Sequence, residues 1–592
     1  MKRHRIVLLC LMFLLAVLSG CGASGTPDSQ SAVQETGTEI SADEVIADIQ
    51  TIGIVDTDGA KAAAVVVKYT VDLTGASPDV SDYAVTDYAS DAGDKACELG
   101  SNPGTPVRVY VNDSPAVSET GGSGAGNYVV IELNTDYQFG SVASSYREAM
   151  WAEVRQTGTL QTDNAVITPG GNSVVNYTEV SAGRDTRKEA ETGKYSFPAL
   201  DAFELHTLDG SAGYEAFHAS GCFEEATGEL VDVDLPYALY VPEDYDGNQE
   251  YGLVLQIHDA GFMGDDPMIT LTEAQGCVNF ASSDVQEIAK AQGLGGLIVV
   301  APQISMELRS TRDNWSTSAA VPATWQLLDS LTDTYNVSME HIYATGQSMG
   351  GMQVVAMAAQ RDNYFAGVWA NGCQWGTNYN LSDTGYDGEA YYAAPADGAV
   401  IWTQDADGNP VDYRNWYYLL SDDNLLITNC TGDTYSSGVW QETAYLLSDL
   451  AGVEIPKAAW NPLTTDREEQ NRILTELVSQ PSERGFYWDA FDGGNHMATW
   501  IYSHGVRAHY EWLLTQSRNA EQRREKLALN APFVWADEQI RTDERILGQD
   551  EAGNDVYYAT GEAGSGTADY NSALLGRGGS YVVNAPGWTP EE

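Results

Sequence analysis

The sequence predicts an all-β sandwich followed by an α/β domain, in which a mostly parallel sheet carries helices on both faces. Three observations lead there. From about 50 to 205, short β-rich runs are separated by clusters of Gly, Asn, Asp, Ser and Pro. From about 215 to 515, strand-like runs alternate with helix-like ones, the mark of an α/β sheet. Within that second region, at 341–359, an apolar run, a glycine-rich turn and a helix-forming stretch follow one another without a gap.

The first residues read as a targeting segment. Lys2, Arg3 and Arg5 precede an apolar stretch from Ile6 to Leu18 that is too short to span a membrane comfortably. Leu18-Ser19-Gly20-Cys21 matches a bacterial lipobox, so the expectation is a signal peptide over 1–20, cleavage before Cys21 and a lipid on its sulfur. Residues 21–45, poor in apolar side chains, then form a flexible tether. The mature protein is expected outside the cytoplasmic membrane at the cell surface, touching the membrane only through this anchor. An ordinary signal peptide with a coincidental cysteine is the plainer alternative.

The chain has 592 residues, room for two or three domains, and 43% are hydrophobic, enough for real cores. Its 85 acidic against 30 basic residues give a formal charge of −55, which repels nucleic acid and anionic headgroups. Of seven cysteines, Cys10 and Cys21 fall in the targeting segment. The remaining five (Cys97, Cys222, Cys277, Cys373 and Cys430) are an odd number, which argues against a disulfide scaffold. Cys373 and Cys430 close successive apolar runs, so they either pair or remain buried thiols.

In the first domain, 46–205, strands are read at Ala62–Leu73, Val107–Val111, Tyr128–Leu133 and Val174–Thr178, an immunoglobulin-like sandwich. It carries no catalytic constellation. A scaffold, a surface for homo-oligomerisation and a wall guiding substrate are all open roles. In the second, 215–515, strands are read at Leu235–Val241, Gly252–Ile257, Leu297–Ala301, Phe365–Ala370, Leu425–Asn429 and Gly485–Trp488, with a helix over Val321–Tyr335. An insertion over 376–423 is rich in Tyr and Trp and, following a strand, is expected at the catalytic edge of the sheet. Its Asp405–Asn409 run resembles a calcium loop, but Pro410 and Trp416 occupy positions that need Gly and Glu, so a hairpin turn is expected instead. No motif for a metal or a dinucleotide is present, and no cofactor is implied. The extension 520–592 opens with a charged helical run, Ala520–Leu529, and suggests no role.

The chemistry is concentrated at Gly346-Gln347-Ser348-Met349-Gly350. Strand, G-x-S-x-G and helix form a nucleophile elbow, a turn so sharp that side chains at Gly346 and Gly350 would strike their neighbours. Ser348 is thereby held out beside the positive end of the next helix. A serine needs a base, and the base needs a carboxylate to orient it. His496, in a loop after the last strand and before a helix, is the candidate base. His504 and His509 lie farther along that helix, and His206, His218 and His341 precede the elbow. The candidate acid is Asp433, three residues beyond Cys430 in a strand-exit loop, with Asp489 as the alternative. Oxyanion donors are expected from the backbone N–H of Met349 and from the loop Asp259-Ala260. His258 is expected to brace that loop.

Leu235–Pro242, Ile257–Gly261 and Ile342–Gly351 together resemble bacterial α/β-hydrolase esterases related to the prolyl-oligopeptidase and feruloyl-esterase groups. With the β domain in front, the layout is similar to two-domain esterases that carry an N-terminal immunoglobulin-like module. The resemblance implies an α/β-hydrolase fold and a serine carboxylesterase acting on small acyl esters or ester-decorated glycans. A serine peptidase using the same triad and a non-catalytic ligand-binding lipoprotein are the alternatives. The chain departs from the family at Asp259, where glycine is usual. An aspartate tolerates left-handed backbone better than most residues, so the expectation is that it replaces glycine there with its carboxylate turned away from Ser348.

Overall fold

In the computed structural model the described residues are 38–92, 97–100, 102–139, 145–182, 185–209, 234–305, 320–360, 364–373, 402–404, 410–412, 424–431, 455–482, 485–492, 494, 496–518, 546–549 and 555–557. The β-rich first region pairs as its composition demands. Ile46–Asp56 and Gly59–Tyr69 form a long hairpin. It sits in a five-stranded sheet ordered Tyr195–Ser196, Ile46–Asp56, Gly59–Tyr69, Tyr128–Leu133, Pro106–Asn112. Val65, Val67 and Tyr69 point into one core with Ile131, Trp151 and Val154, while Ala64 and Val66 point the other way onto Ile52, Tyr110 and Val130. That is the period-two alternation of a strand buried on both faces. The described residues of the module also form two three-stranded sheets, one of Val174–Val175, Ala152–Gln156 and Tyr83–Asp87, the other of Thr38–Ser41, Ala165–Thr168 and Leu160–Gln161, and two short hairpin-like pairs, Tyr177–Ala182 with Asp185–Ala190 and Cys97–Gly100 with Tyr137–Phe139.

This module buries an ion pair. Lys61, 1% exposed, donates from Nζ to Asp56 at 2.7 Å and to the Tyr137 carbonyl at 2.5 Å, and pairs with Asp58 at 2.9 Å. Asp58 in turn accepts from Phe139 N at 2.6 Å. Burial pushes the Asp58 carboxyl up from its ordinary range, and the Lys61 charge beside it pulls it back down. Lys61→Ala should therefore cost about 3–5 kcal/mol, because it strands a buried carboxylate rather than merely removing an attraction. Denaturant unfolding checks this; a loss below about 1 kcal/mol would mean that water reaches Asp58.

The second module is built on one nine-stranded sheet. Its strands are β1 (Phe203–Leu208), β2 (Leu235–Tyr240), β3 (Tyr251–Ile257), β4 (Leu297–Pro302), β5 (Val337–Gln347), β6 (Gly367–Asn371), β7 (Leu425–Cys430), β8 (Lys457–Trp460) and β9 (Phe486–Phe491). They lie in the order β1-β2-β4-β3-β5-β6-β7-β9-β8. The sheet is mixed: β1–β2 and β2–β4 are antiparallel, and every other pairing is parallel. Helices α1 (Ser283–Ala291), α2 (Ala320–Thr334), α3 (Met349–Gln360), α4 (Arg467–Ser479), α5 (Ala498–Ser503) and α6 (Arg507–Leu514) pack on it. Leu253, Leu255, Ile342 and Ala344 share a core with Leu327 and Leu328 of α2 and Val354 of α3. Their strand neighbours Val254 and Tyr343 share the opposite core with Ile288 of α1, Leu474 of α4 and Tyr510 of α6. Burial on both faces is why these strands read as unbroken apolar runs.

Two elements differ from the sequence reading. Phe203–Leu208, assigned in part to the first domain, is the edge strand of the second sheet, paired residue by residue with Leu235–Tyr240. Lys457–Trp460, which was not foreseen, is the opposite edge. The Trp402–Gln404 and Pro410–Asp412 strands pair antiparallel, and the turn expected at 405–409 lies outside the described residues. The rest of the 376–423 insertion, Cys21 and the 520–529 helix lie outside the described residues. Cys373 and Cys430 are buried thiols, not joined to each other by a disulfide. Among the described residues no helix is long and apolar enough to cross a membrane.

Candidate active site

The elbow has the geometry its glycines imply. Ser348 lies between the last residue of β5 and the first of α3 with φ +49°, one of two non-glycine residues at positive φ among those described. A Cβ on Gly346 would collide with the backbone of Gly350, and one on Gly350 with the carbonyl of Ile257 at the end of β3. Left-handed backbone at a serine is strained by roughly 1–3 kcal/mol, and the surroundings hold it there. Ser348 N donates to Asn371 O at 2.8 Å, and Ser348 O accepts from Met352 N at 2.9 Å, closing the first turn of α3. Asn371 is itself fully buried, its amide oxygen accepting from Ser503 Oγ at 2.9 Å.

His496 Nε2 lies 2.8 Å from Ser348 Oγ, 148 residues apart in sequence. The imidazole is set by its surroundings. Gly494, at φ +76°, turns the chain after β9, and a Cβ there would meet Cys430 Sγ at 3.1 Å. Trp500 meets the His496 ring edge-on, with centroids 5.2 Å apart. A side chain on Gly372, at φ +55°, would reach within 3.4 Å of the imidazole. Asp433 lies outside the described residues. The alternative acid, Asp489, is committed elsewhere: its oxygens receive Trp460 Nε1 at 2.8 Å and face His509 Nε2 at 2.9 Å, all three side chains being buried. His509 also lies flat on Trp369, with centroids 4.8 Å apart and planes 9° apart.

The remaining histidines of this region are structural. His258, fully buried, faces the Asp259 carbonyl with Nδ1 at 2.7 Å and accepts from Ile304 N on Nε2 at 2.9 Å. One nitrogen donates and the other accepts, so the ring is neutral. Burial pulls its pKa down to about 4. It braces the loop after β3, as expected. His504, between Gln347 Nε2 at 2.8 Å and Tyr510 OH at 3.2 Å, is held down at about 3, mainly by burial and secondly by His509.

Met349 opens α3, where the first N–H groups have no acceptor within the helix. The oxyanion loop itself departs from expectation at Asp259. Its backbone is extended, φ −78° and ψ 171°, not left-handed. Its carboxylate is 5% exposed rather than in solvent, because Oδ1 turns back to accept from Gly261 N as the cap of the 3-10 turn Ala260–Phe262. His496 acts on it electrostatically. The Asp259 N–H is also occupied, donating to Glu273 Oε1 at 3.2 Å. Of the two loop residues named from sequence, Asp259 thus has its N–H engaged by Glu273, which leaves Ala260 as the candidate. Glu273 carried no signal in the sequence.

Residues 48–175 match the family described as the esterase Ig-like N-terminal domain. The immunoglobulin-like domain reaches the loop. Tyr146 OH donates to Asp266, Arg147 pairs with it at 3.3 Å, and both side chains line a cavity of about 210 Å³ with Gly261, Phe262 and Met263. No curated protein sequence matches the chain. Among solved structures, a thermostable esterase is similar over 80% of this chain and 100% of its own, at 19% identity and a TM-score of 0.49. A ferulic acid esterase is similar over 53% and 98%, at 13% identity and a TM-score of 0.30. FphF, a fluorophosphonate-binding serine hydrolase of Staphylococcus aureus, is similar over 52% and 98%, at 12% identity and a TM-score of 0.28. At these scores the likenesses carry no argument about chemistry. Among the described residues no cluster of His, Cys, Asp and Glu is placed to hold a metal ion.

Proposed function

We propose that the chain is an α/β-hydrolase whose second module is a serine carboxylic-ester hydrolase working through an acyl-enzyme. The observation that carries this is the 2.8 Å approach of His496 Nε2 to a Ser348 Oγ that strained backbone holds out at the sheet's edge. His496 takes the hydroxyl proton as Ser348 Oγ attacks the ester carbonyl. The oxyanion that forms is met by the N–H groups of Met349 and Ala260, fixed in direction before substrate arrives. His496 then gives its proton to the departing alcohol, and water repeats the sequence to release the acid. Asp433, three residues after the end of β7 in sequence, is assigned to hold the imidazole in the required tautomer. The match of residues 48–175 to a domain described from esterases supports ester over peptide substrates. Small acyl esters or ester-decorated glycans are the expected class. A panel of acyl esters of rising length, a feruloyl ester and an aminoacyl anilide tests this. Anilide cleavage exceeding ester cleavage would make it a peptidase, and a chain that cleaves none and resists a fluorophosphonate probe would be a binding protein.

We also propose that Cys21 carries a lipid that tethers the enzyme outside the cytoplasmic membrane, as Leu18–Cys21 suggests. Cys21→Ser should move the protein from the detergent phase to the aqueous phase while sparing activity on soluble esters. Unchanged partitioning would point to another anchor.

A further inference from the structure

Asp259 and Glu273 are 5% and 3% exposed, and they meet because the chain leaving β3 folds back into the short helix Met268–Thr272, which ends at Glu273. Each carboxyl spends one oxygen on the loop: Glu273 Oε1 accepts from Asp259 N and Asp259 Oδ1 from Gly261 N. The bond from Asp259 N to Glu273 Oε1, 3.2 Å long, brings the two buried carboxyls into one pocket, where the charge of each bears on the other. Their second oxygens, Asp259 Oδ2 and Glu273 Oε2, are buried without a protein donor. Two carboxylates buried side by side cannot both be ionised at ordinary cost, but one proton held by the pair removes one of the two charges. The neighbouring groups supply no alternative. His258 is neutral, and Cys277 is a buried thiol pushed up by burial and by Glu273. His504 Nε2, which lies close to Gly276, is engaged by Gln347. His496 acts on Asp259 from the catalytic side. Among the described residues neither carboxyl has a Lys or Arg partner.

We propose that Asp259 and Glu273 share a single proton and that this half-ionised pair positions the oxyanion loop, engaging the N–H groups of Asp259 and Gly261 so that Ala260 N–H is left for the substrate. Losing the shared proton to solvent leaves two facing carboxylates, which part and release the loop; alkaline pH then shuts the site. In the half-ionised state the single negative charge favours the imidazolium that His496 becomes when Ser348 is deprotonated. This inference rests on the serine-hydrolase reading of the site. Asp259 and Glu273 act here through the backbone they hold, as positioning residues.

Burial raises both carboxyls above their ordinary range, and their mutual charge raises Glu273 further. The folded state therefore holds a proton that the unfolded chain has already lost. The resulting stability is complete below the ordinary carboxylate range and is lost as pH rises through the pair's raised ionisation.

The test is the pH dependence of kcat/KM for p-nitrophenyl acetate, beside that of Tm, in wild type, Glu273→Gln, Glu273→Ala and Asp259→Asn. Wild-type kcat/KM should fall about tenfold per pH unit beyond the pair's ionisation. Glu273→Gln should abolish that fall, since an amide can still accept from Asp259 N and donates permanently to Asp259. Asp259→Asn should abolish it likewise, which covers the case in which one variant folds poorly. Glu273→Ala, lacking both bonds, should lose tenfold or more in kcat at every pH with little change in KM. A Gln variant that keeps the wild-type alkaline limb overturns the proposal. Tm separates this failure from that of the hydrolase reading: wild-type Tm should fall more steeply with rising pH than that of Glu273→Gln, whether or not any ester is cleaved. Parallel Tm curves also overturn the shared proton.

Discussion

Replacing Ser348 with alanine should lower kcat for ester hydrolysis by roughly 10⁴ to 10⁶ and leave the fold in place. His496 Nε2 faces Ser348 Oγ at 2.8 Å, and without that oxygen no covalent intermediate forms. What remains is substrate binding and the Met349 and Ala260 donors, worth roughly 10³ to 10⁴ over water in comparable sites. The strain at φ +49° gives a second readout. Alanine keeps the Cβ and hence the strain, whereas Ser348→Gly relieves it. The glycine variant should be equally inactive yet more stable than the alanine variant by about 1 kcal/mol, measured by thermal or denaturant unfolding. Ester hydrolysis by Ser348→Ala near the wild-type rate would remove Ser348 from the mechanism.

The second large effect distinguishes the two aspartates. Asp433→Asn should lower kcat by about 10⁴ with little change in stability, because an amide at that place favours the wrong imidazole tautomer. The end of β7 lies beside the histidine turn: Thr431 N donates to Phe491 O at 2.8 Å, and Cys430 Sγ accepts from Thr499 Oγ1 at 3.4 Å. Asp489→Asn should do the reverse. It weakens the fully buried hydrogen bonds to His509 and Trp460, at a cost of about 1–3 kcal/mol, while the Ser348–His496 pair is untouched. Unfolding curves and kcat measured on both variants decide the matter. An Asp489 variant that is stable but inactive would exchange the two roles.

The elbow was legible because its requirement is local. Gly346, Ser348 and Gly350 lie within five residues, and a side chain at Gly346 would strike the start of the very helix that follows, while one at Gly350 would strike the neighbouring strand β3. Leu253-Val254-Leu255 and Leu425-Leu426-Ile427 were legible because strands buried on both faces need apolar residues throughout. Tertiary pairing was not legible. Nothing in Trp460, Asp489 and His509 announces that they meet, since their contact depends on β8 and α6 packing at β9. Lys457–Trp460 is four residues long with exposed positions, too short and mixed to read as a strand. Asp259 was judged by what its backbone tolerates, whereas Glu273, fourteen residues on, decides where its N–H and carboxyl go.

The seam between the modules is not a hinge. The segment leaving the immunoglobulin-like domain becomes β1 at once, and its hydrogen bonds to β2 make it part of the neighbouring sheet. Cutting the gene just before residue 215, where composition changes, would strip that strand away and leave β2 with a row of bare N–H and C=O groups. Exposed edges of this kind recruit strands from other molecules and turn a soluble product into an aggregating one. A shortened version of this enzyme should therefore begin before Phe203, keeping the outermost strand as a selvedge for the sheet.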